Sequence, residues 1–240
     1  MSLKRFVRKS IRSAGWDVKR FDPLSSESTQ LARQLSVHQI DVVFDVGANT
    51  GQFAERLRDA GFSGQIISFE PSTAAHLTLS KHANPDPDWT IAPRMALGDQ
   101  EGTTTLNLAG NSASSSVLPM LPSHANAAPE SRYVGAERVD LRTLDGIAKG
   151  FVTHAERVFL KLDVQGFEYK VLQGAEKFLG QVLGIQIELS LVPLYEGEHL
   201  FDPMRRYLED RGYDLWSVIP GFVDPATSRL LQLDAVFFRK

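Results

Sequence analysis

The chain contains no cysteine, which excludes disulfides, thiolate nucleophiles and cysteine-based zinc or iron–sulfur sites. No apolar run approaches the roughly 18–20 residues that a membrane-crossing helix needs. The N-terminus also lacks the apolar core of a secretory signal. A soluble, cytoplasmic protein is therefore the expectation. No Pro/Gly-rich linker divides the 240 residues into comparable halves, and one ordinary α/β domain is expected. A basic stripe interleaved with aromatics is missing too, so nucleic-acid binding is not expected.

What is present begins with a charge asymmetry. The formal net charge is −3, yet the first twenty residues carry Lys4, Arg5, Arg8, Lys9, Arg12, Lys19 and Arg20 against the single acid Asp17. Leu3, Phe6, Val7, Ile11 and Ala14 recur among these cations at helical spacing. Two readings are open for this segment. One is a surface helix making peripheral contact with anionic lipid or an acidic partner. The other is a helix docking its apolar stripe on the acidic body of the chain. The expected division is a basic helical segment over 1–35 and one α/β domain over 36–240.

Beyond this segment, apolar strand-like runs alternate with helix-like segments, the pattern of βαβ units on a parallel sheet. Strands are expected at Asp41–Val46, Gln65–Phe69, Trp89–Ala92, Val158–Asp163 and Gly184–Leu189. Helices are expected at Gln52–Ala60, Thr73–His82, Phe167–Leu179 and Pro203–Arg211. Tyr213–Ile219 and Leu230–Phe238 are two further strand-like runs with no room for a crossover helix between them, so they must pair antiparallel or one must leave the sheet. The result is a doubly wound, mostly parallel sheet ending in an antiparallel hairpin. Thr103–Leu108 alternates like a short strand. Asn111–Arg132 shows little periodicity and reads either as a lid with polar contacts from Asn111, Ser114, Ser115, Ser116 and His124, or as a mobile surface excursion.

Asp45, Glu70, Asp163 and Glu188 each fall at the end of an expected strand, and ligands in open α/β sheets bind beyond the carboxyl ends of strands. After the first strand the chain reads Asp45-Val46-Gly47-Ala48-Asn49-Thr50-Gly51. This is Asp-x-Gly-x-x-x-Gly, not the Gly-x-Gly-x-x-Gly of dinucleotide binders. Gly47 and Gly51 permit a sharp turn and close backbone approach to a ligand, and the following helix N-terminus suits an anionic group. Asp45 suits a cationic or hydrogen-bond-donating group. Glu70 suits the paired hydroxyls of a ribose. Together they favour a nucleoside-containing ligand.

Four segments in order carry a family resemblance: Val43–Gly51, Ser68-Phe69-Glu70-Pro71, Ala96-Leu97-Gly98-Asp99 with Gly102, and Leu160–Glu168 followed by Val171–Ala175. Over about residues 41–190 the chain resembles FkbM-type methyltransferases, and the terminal hairpin fits the wider class I, Rossmann-like methyltransferase fold. The resemblance implies S-adenosylmethionine as cofactor and O-methylation of a hydroxyl on a sugar, glycolipid or other natural product, an acceptor that is lipid-linked in one reading. By position it implies that Asp45, Gly47, Ala48, Asn49 and Gly51 surround the methionine and ribose. Glu70 would hold the ribose hydroxyls, with Leu97 and Asp99 near the adenine. Gln165 stands where members of the family more often carry Glu.

Methyl transfer to an alcohol relies on in-line positioning and on removal of a proton. Asp163 and Glu188 are the candidate bases, with His124 in the lid as a third. Lys161 shares a strand face with Asp163 and is placed to pair with it. Asp163 and Glu188 also suit Mg²⁺ as oxygen ligands, but no third ligand accompanies them and no metal site is assigned. Glu168 falls in a first helical turn and reads as structural. Two rival readings stand beside this one: a nicotinamide-dependent oxidoreductase, and a non-catalytic scaffold that keeps the fold.

Overall fold

The computed structural model describes residues 7, 11–13, 15–16, 22 and 26–240. The basic helix expected over residues 1–20 therefore lies outside the described residues, apart from isolated positions, and so do the two roles considered for it.

Seven strands form the main sheet: β1 (Val42–Val46), β2 (Gln65–Phe69), β3 (Trp89–Ile91), β7 (Val158–Leu162), β8 (Val182–Ser190), β9 (Tyr213–Pro220) and β10 (Gln232–Arg239). Their order is β3-β2-β1-β7-β8-β10-β9. β10 runs antiparallel to both of its neighbours, and all other pairs are parallel. The expected hairpin is present, with its second strand inserted between β8 and β9.

The apolar run of β1 is buried along its whole length because helices cover both faces of the sheet. Side chains alternate between the faces. Val42, Phe44 and Val46 join one apolar cluster with Phe69, Leu160 and Leu162. Val43 joins the other with Phe159, Val236 and Phe238. That second face is covered by α1 (Glu27–Val37), α2 (Gln52–Asp59) and α3 (Thr73–Ala83), which contribute Leu31, Leu35, Phe53, Leu57 and Leu79 to the cluster.

A second sheet of three strands, in the order β4-β6-β5, is formed by β4 (Ala96–Leu97), β5 (Gly102–Ala109) and β6 (Tyr133–Arg142). β6 has no counterpart among the expected strands. Its first six residues are largely exposed and only Val139 and Leu141 are buried, so it carries no apolar alternation to read. Asn111–Arg132 is an insertion between the paired strands β5 and β6. It is not a free excursion: Asn107 bridges Ser116, Met120 bridges Tyr195, and α4 (Pro122–Ala127) folds within it.

The helix expected over Phe167–Leu179 stops early. It forms α6 (Glu168–Gln173) and resumes only as a 3₁₀ turn at Phe178–Gly180; between β6 and β7 the short α5 (Leu144–Ile147) precedes it in the chain. The Asp145 carboxylate of α5 takes the backbone N–H groups of Lys177 and Phe178. Gly174 packs so closely on Gly98 that a Cβ there would lie 1.9 Å from its carbonyl oxygen. The last helix, α7 (Phe201–Glu209), starts two residues earlier than expected.

Candidate active site

A cavity of about 270 Å³ opens beyond the carboxyl ends of β1, β2 and β7. Gly47, Ala48 and Asn49 from the turn after β1 line it, with Glu70 and Leu97 opposite and Asp163 at the end of β7. Ser112, Ser115 and Ser116 of the β5–β6 insertion close one side, which favours the lid reading of that segment over the mobile one.

The turn uses its glycines for packing. Gly47 has φ +80°, and a Cβ there would lie 1.8 Å from the Asp163 carbonyl oxygen. Gly51 has φ +101°, and a Cβ would meet the Trp89 ring at 2.7 Å; Gly51 does not line the cavity. The backbone donors of the turn are also engaged internally. The N–H groups of Gly47 and Ala48 both donate to the Phe69 carbonyl, and that of Gly51 to Ala48. The Asn49 N–H donates to Glu70 Oε2 at 2.8 Å. Gly47 thus packs on the end of β7 while also lining the cavity.

Glu70 lines the cavity with its carboxylate buried. Burial pushes its pKa up to about 7, against the opposing pull of the Ser72 and Asn49 N–H groups. Each oxygen accepts one N–H and keeps a further lone pair, the arrangement that a pair of ribose hydroxyls requires. Beside it, Met95, Ala96, Leu97, Leu106 and Phe167 form an apolar slot suited to a flat base. These features fit S-adenosylmethionine. Asp99 lies outside the cavity and pairs with Lys170 at 2.8 Å.

Asp45 is fully buried and does not reach the cavity wall, so it does not meet a ligand as expected. It belongs to a polar row crossing the sheet. In register, Ser68 of β2 lies beside Asp45 of β1, Asp45 beside Lys161 of β7, and Lys161 beside Gln186 of β8. Trp89 Nε1 donates to Ser68 Oγ at 2.9 Å, and Ser68 Oγ donates to Asp45 Oδ2 at 3.3 Å. Lys161 Nζ stands 3.4 Å from Asp45 Oδ1 and 3.2 Å from Asp163 Oδ2. Burial pulls the lysine pKa down, but the carboxylates of Asp163, Asp45 and Asp234 outweigh it and hold the ammonium charged. Burial raises the Asp45 pKa, with Lys161 opposing.

Asp163 is the acid of this row that faces the cavity, its side chain 35% exposed. Its second oxygen accepts Gln165 Nε2 at 2.8 Å, and the same amide nitrogen lies 2.5 Å from Glu188 Oε2. Glu188 also accepts from Gln232 at 3.1 Å, and Gln165 Oε1 accepts from the Tyr195 hydroxyl at 2.7 Å. Asp163 and Glu188 are thus brought together through Gln165, but Glu188 does not line the cavity. Burial, then Asp163 and Asp234, keep its pKa well above the ordinary carboxylate value.

His124 is placed away from the expected position beside the ligand. It is 3% exposed and packs against the rings of Tyr195 and Phe222 at 5.1 and 5.2 Å, and burial lowers its pKa. The magnesium alternative finds no third ligand, since no group of three His, Asp or Glu with metal-binding geometry occurs among the described residues.

Among the cavity residues that escaped the sequence reading are Phe53, Arg56, Met95, Gln186 and Asp234. Gln186 lies two residues before Glu188 on one strand face. Asp234 lies opposite Glu188 across the β8–β10 pair, a neighbour visible only once that register is known.

A doubly wound sheet with β10 inserted antiparallel departs from the 3-2-1-4-5-6 order of dinucleotide-binding proteins. Together with a carboxylate at the end of β2 and an apolar slot beside it, it defines a class I S-adenosylmethionine-dependent methyltransferase. Residues 45–215 match the methyltransferase FkbM domain, and the chain belongs to that family. No curated protein sequence matches the chain. Solved structures resemble it in fold at low identity. Magnesium protoporphyrin IX methyltransferase from Synechocystis PCC 6803, with bound SAM, is 11% identical with a TM-score of 0.47, over 100% of this chain and 98% of that one. An rRNA methylase from Streptococcus thermophilus is 12% identical with a TM-score of 0.48, over 92% and 99%.

Proposed function

We propose that this methyltransferase methylates a hydroxyl of a sugar, glycolipid or other natural-product acceptor, with Asp163 as the base. S-adenosylmethionine, when bound, supplies a sulfonium methyl group, and transfer forms the acceptor O–C bond as the C–S bond breaks. Glu70 holds the ribose hydroxyls, and the slot formed by Met95, Ala96, Leu97, Leu106 and Phe167 takes the adenine. Asp163 accepts the hydroxyl proton.

The observation that carries this reading is the bracing of Asp163. Lys161 holds one of its oxygens and Gln165 the other, so the carboxylate is fixed on the cavity wall before an acceptor arrives, and positioning of this kind lowers the barrier. Glu188 acts through Gln165 as a positioning residue, and His124 has no part.

Kinetics of Asp163→Asn test the assignment. Turnover should fall roughly 10²–10⁴-fold, the range for loss of a general base, while affinity for S-adenosylhomocysteine changes little. Turnover equal to wild type would remove Asp163 from the role.

A further inference from the structure

A second cavity, of about 290 Å³, lies between the start of α1 and the sheet. It adjoins the first through shared walls: Phe53, Arg56, Gln186 and Asp234 line both. Its outer wall is Glu27, Ser28 and Leu31 of α1 with Ile219 of β9. The volume is near the lower end of the ligand-pocket range.

One atom in this shared wall has no partner among the described residues. Gln186 is 6% exposed. Its side chain stands beside the Asp234 carboxylate, whose pKa it lowers. Its carbonyl Oε1 is buried without a hydrogen-bond partner among the described residues. Leaving an acceptor so costs free energy unless a donor arrives. Asp234 beside it adds carboxylate lone pairs, and burial followed by Asp163 raises its pKa to about 6. The wall shared by both cavities therefore presents the Gln186 and Asp234 acceptors beside the Arg56 guanidinium and the aromatic ring of Phe53. A molecule bearing several hydroxyls, with one apolar ring face, complements it.

We propose that the second cavity is the acceptor subsite, holding a sugar-like polyhydroxylated ring on Gln186 Oε1 and Asp234 with its apolar face on Phe53. The proposal rests on the hydroxyl-methylation reading above and adds where the acceptor binds and which residues select it. Gln186 and Asp234 are specificity residues in this account, and the reacting hydroxyl enters the first cavity past them.

The test is saturation-transfer NMR on the full chain with S-adenosylhomocysteine bound. The probes are the methyl glycosides of glucose, rhamnose and fucose. At least one sugar should receive saturation from the wild-type protein. Gln186→Met, which keeps the volume and removes the acceptor, should weaken it roughly tenfold. Ser28→Trp, which fills the outer wall away from the first cavity, should abolish it, with S-adenosylhomocysteine affinity retained in both variants. Absence of transfer to every sugar overturns the proposal, and so does transfer that neither variant alters. Two outcomes separate the subsite from the reaction. Sugar binding that both variants remove, without methylation of any bound sugar, upholds the subsite and refutes the hydroxyl reading. Sugar methylation unaffected by either variant upholds the reaction and refutes the subsite.

Discussion

Gly47 shows how a single residue couples the turn after β1 to the end of β7. Its positive φ, and the 1.8 Å that would separate a Cβ at this position from the Asp163 carbonyl oxygen, leave no room for a side chain. Gly47→Ala should cost about 3 kcal/mol or more, from backbone strain and overpacking combined. Gly180, where a Cβ meets nothing within 4 Å, is the control, and its alanine variant should fall within about 0.5 kcal/mol of wild type. Urea unfolding of the two variants measures both; equal midpoints would refute the packing role. The Asp-x-Gly-x-x-x-Gly run was legible in the sequence as a turn, because glycine spacing after an apolar run is a local signal. Why each glycine is needed was not legible, since the clashing atoms belong to the end of β7 and to Trp89, far along the chain. Asp45 follows the same logic: its place at the end of a strand was visible, but its capture by Lys161 depends on strand order.

Among the elements, the parallel strands and their sequence were readable from apolar runs, and the hairpin from the absence of space for a crossover helix. β6 was not, because its exposed face and charged residues conceal a strand that is defined by pairing with β5. The early stop of α6 was hidden as well, since Asp145 on another element removes the backbone donors that would have continued it. The polar row of Ser68, Asp45, Lys161 and Gln186 is the element-level feature on which the site depends. Within it one buried ammonium, that of Lys161, meets the carboxylates of Asp45 and Asp163. Lys161→Met leaves Asp45 buried without its counter-charge, and breaking a buried pair costs about 3–5 kcal/mol. Asp45→Asn together with Lys161→Met should cost less than the sum of the single changes, because the two share one interaction. Strict additivity in denaturant unfolding would show that the pair does not act as a unit.

At the scale of the whole molecule, burial of several acids around one cavity gives stability an unusual pH dependence. Burial pushes Glu70 to about 7 and Glu168 to about 8. A carboxylate whose folded pKa is raised contributes stability that is fully present below the unfolded value and lost as pH rises through the folded value. His38, His124 and His199, lowered by burial, act oppositely: their contribution is lost as pH falls through the ordinary histidine value, and they cease to titrate above neutrality. Between about pH 7 and about pH 8.5 the acids alone act, and the ligand-free protein should lose on the order of 1 kcal/mol. Thermal scans across that window should show a falling midpoint; a rising one would contradict the assignment of buried, protonated acids. The class of molecule, its cofactor and the crevice were legible as an ordered set of motifs. The second cavity was not, because α1, β8 and β10 meet there only in the folded sheet. The central claim is that methyl transfer goes to an acceptor oxygen under the control of Asp163. Its most direct test is carbon NMR of products formed from S-adenosylmethionine labelled with carbon-13 in its methyl group, with the sugar panel and a wider hydroxylated acceptor set. The account expects label in O-methyl groups with wild-type protein and almost none with Asp163→Asn. Label on nitrogen or carbon, or O-methylation undiminished in that variant, would contradict it.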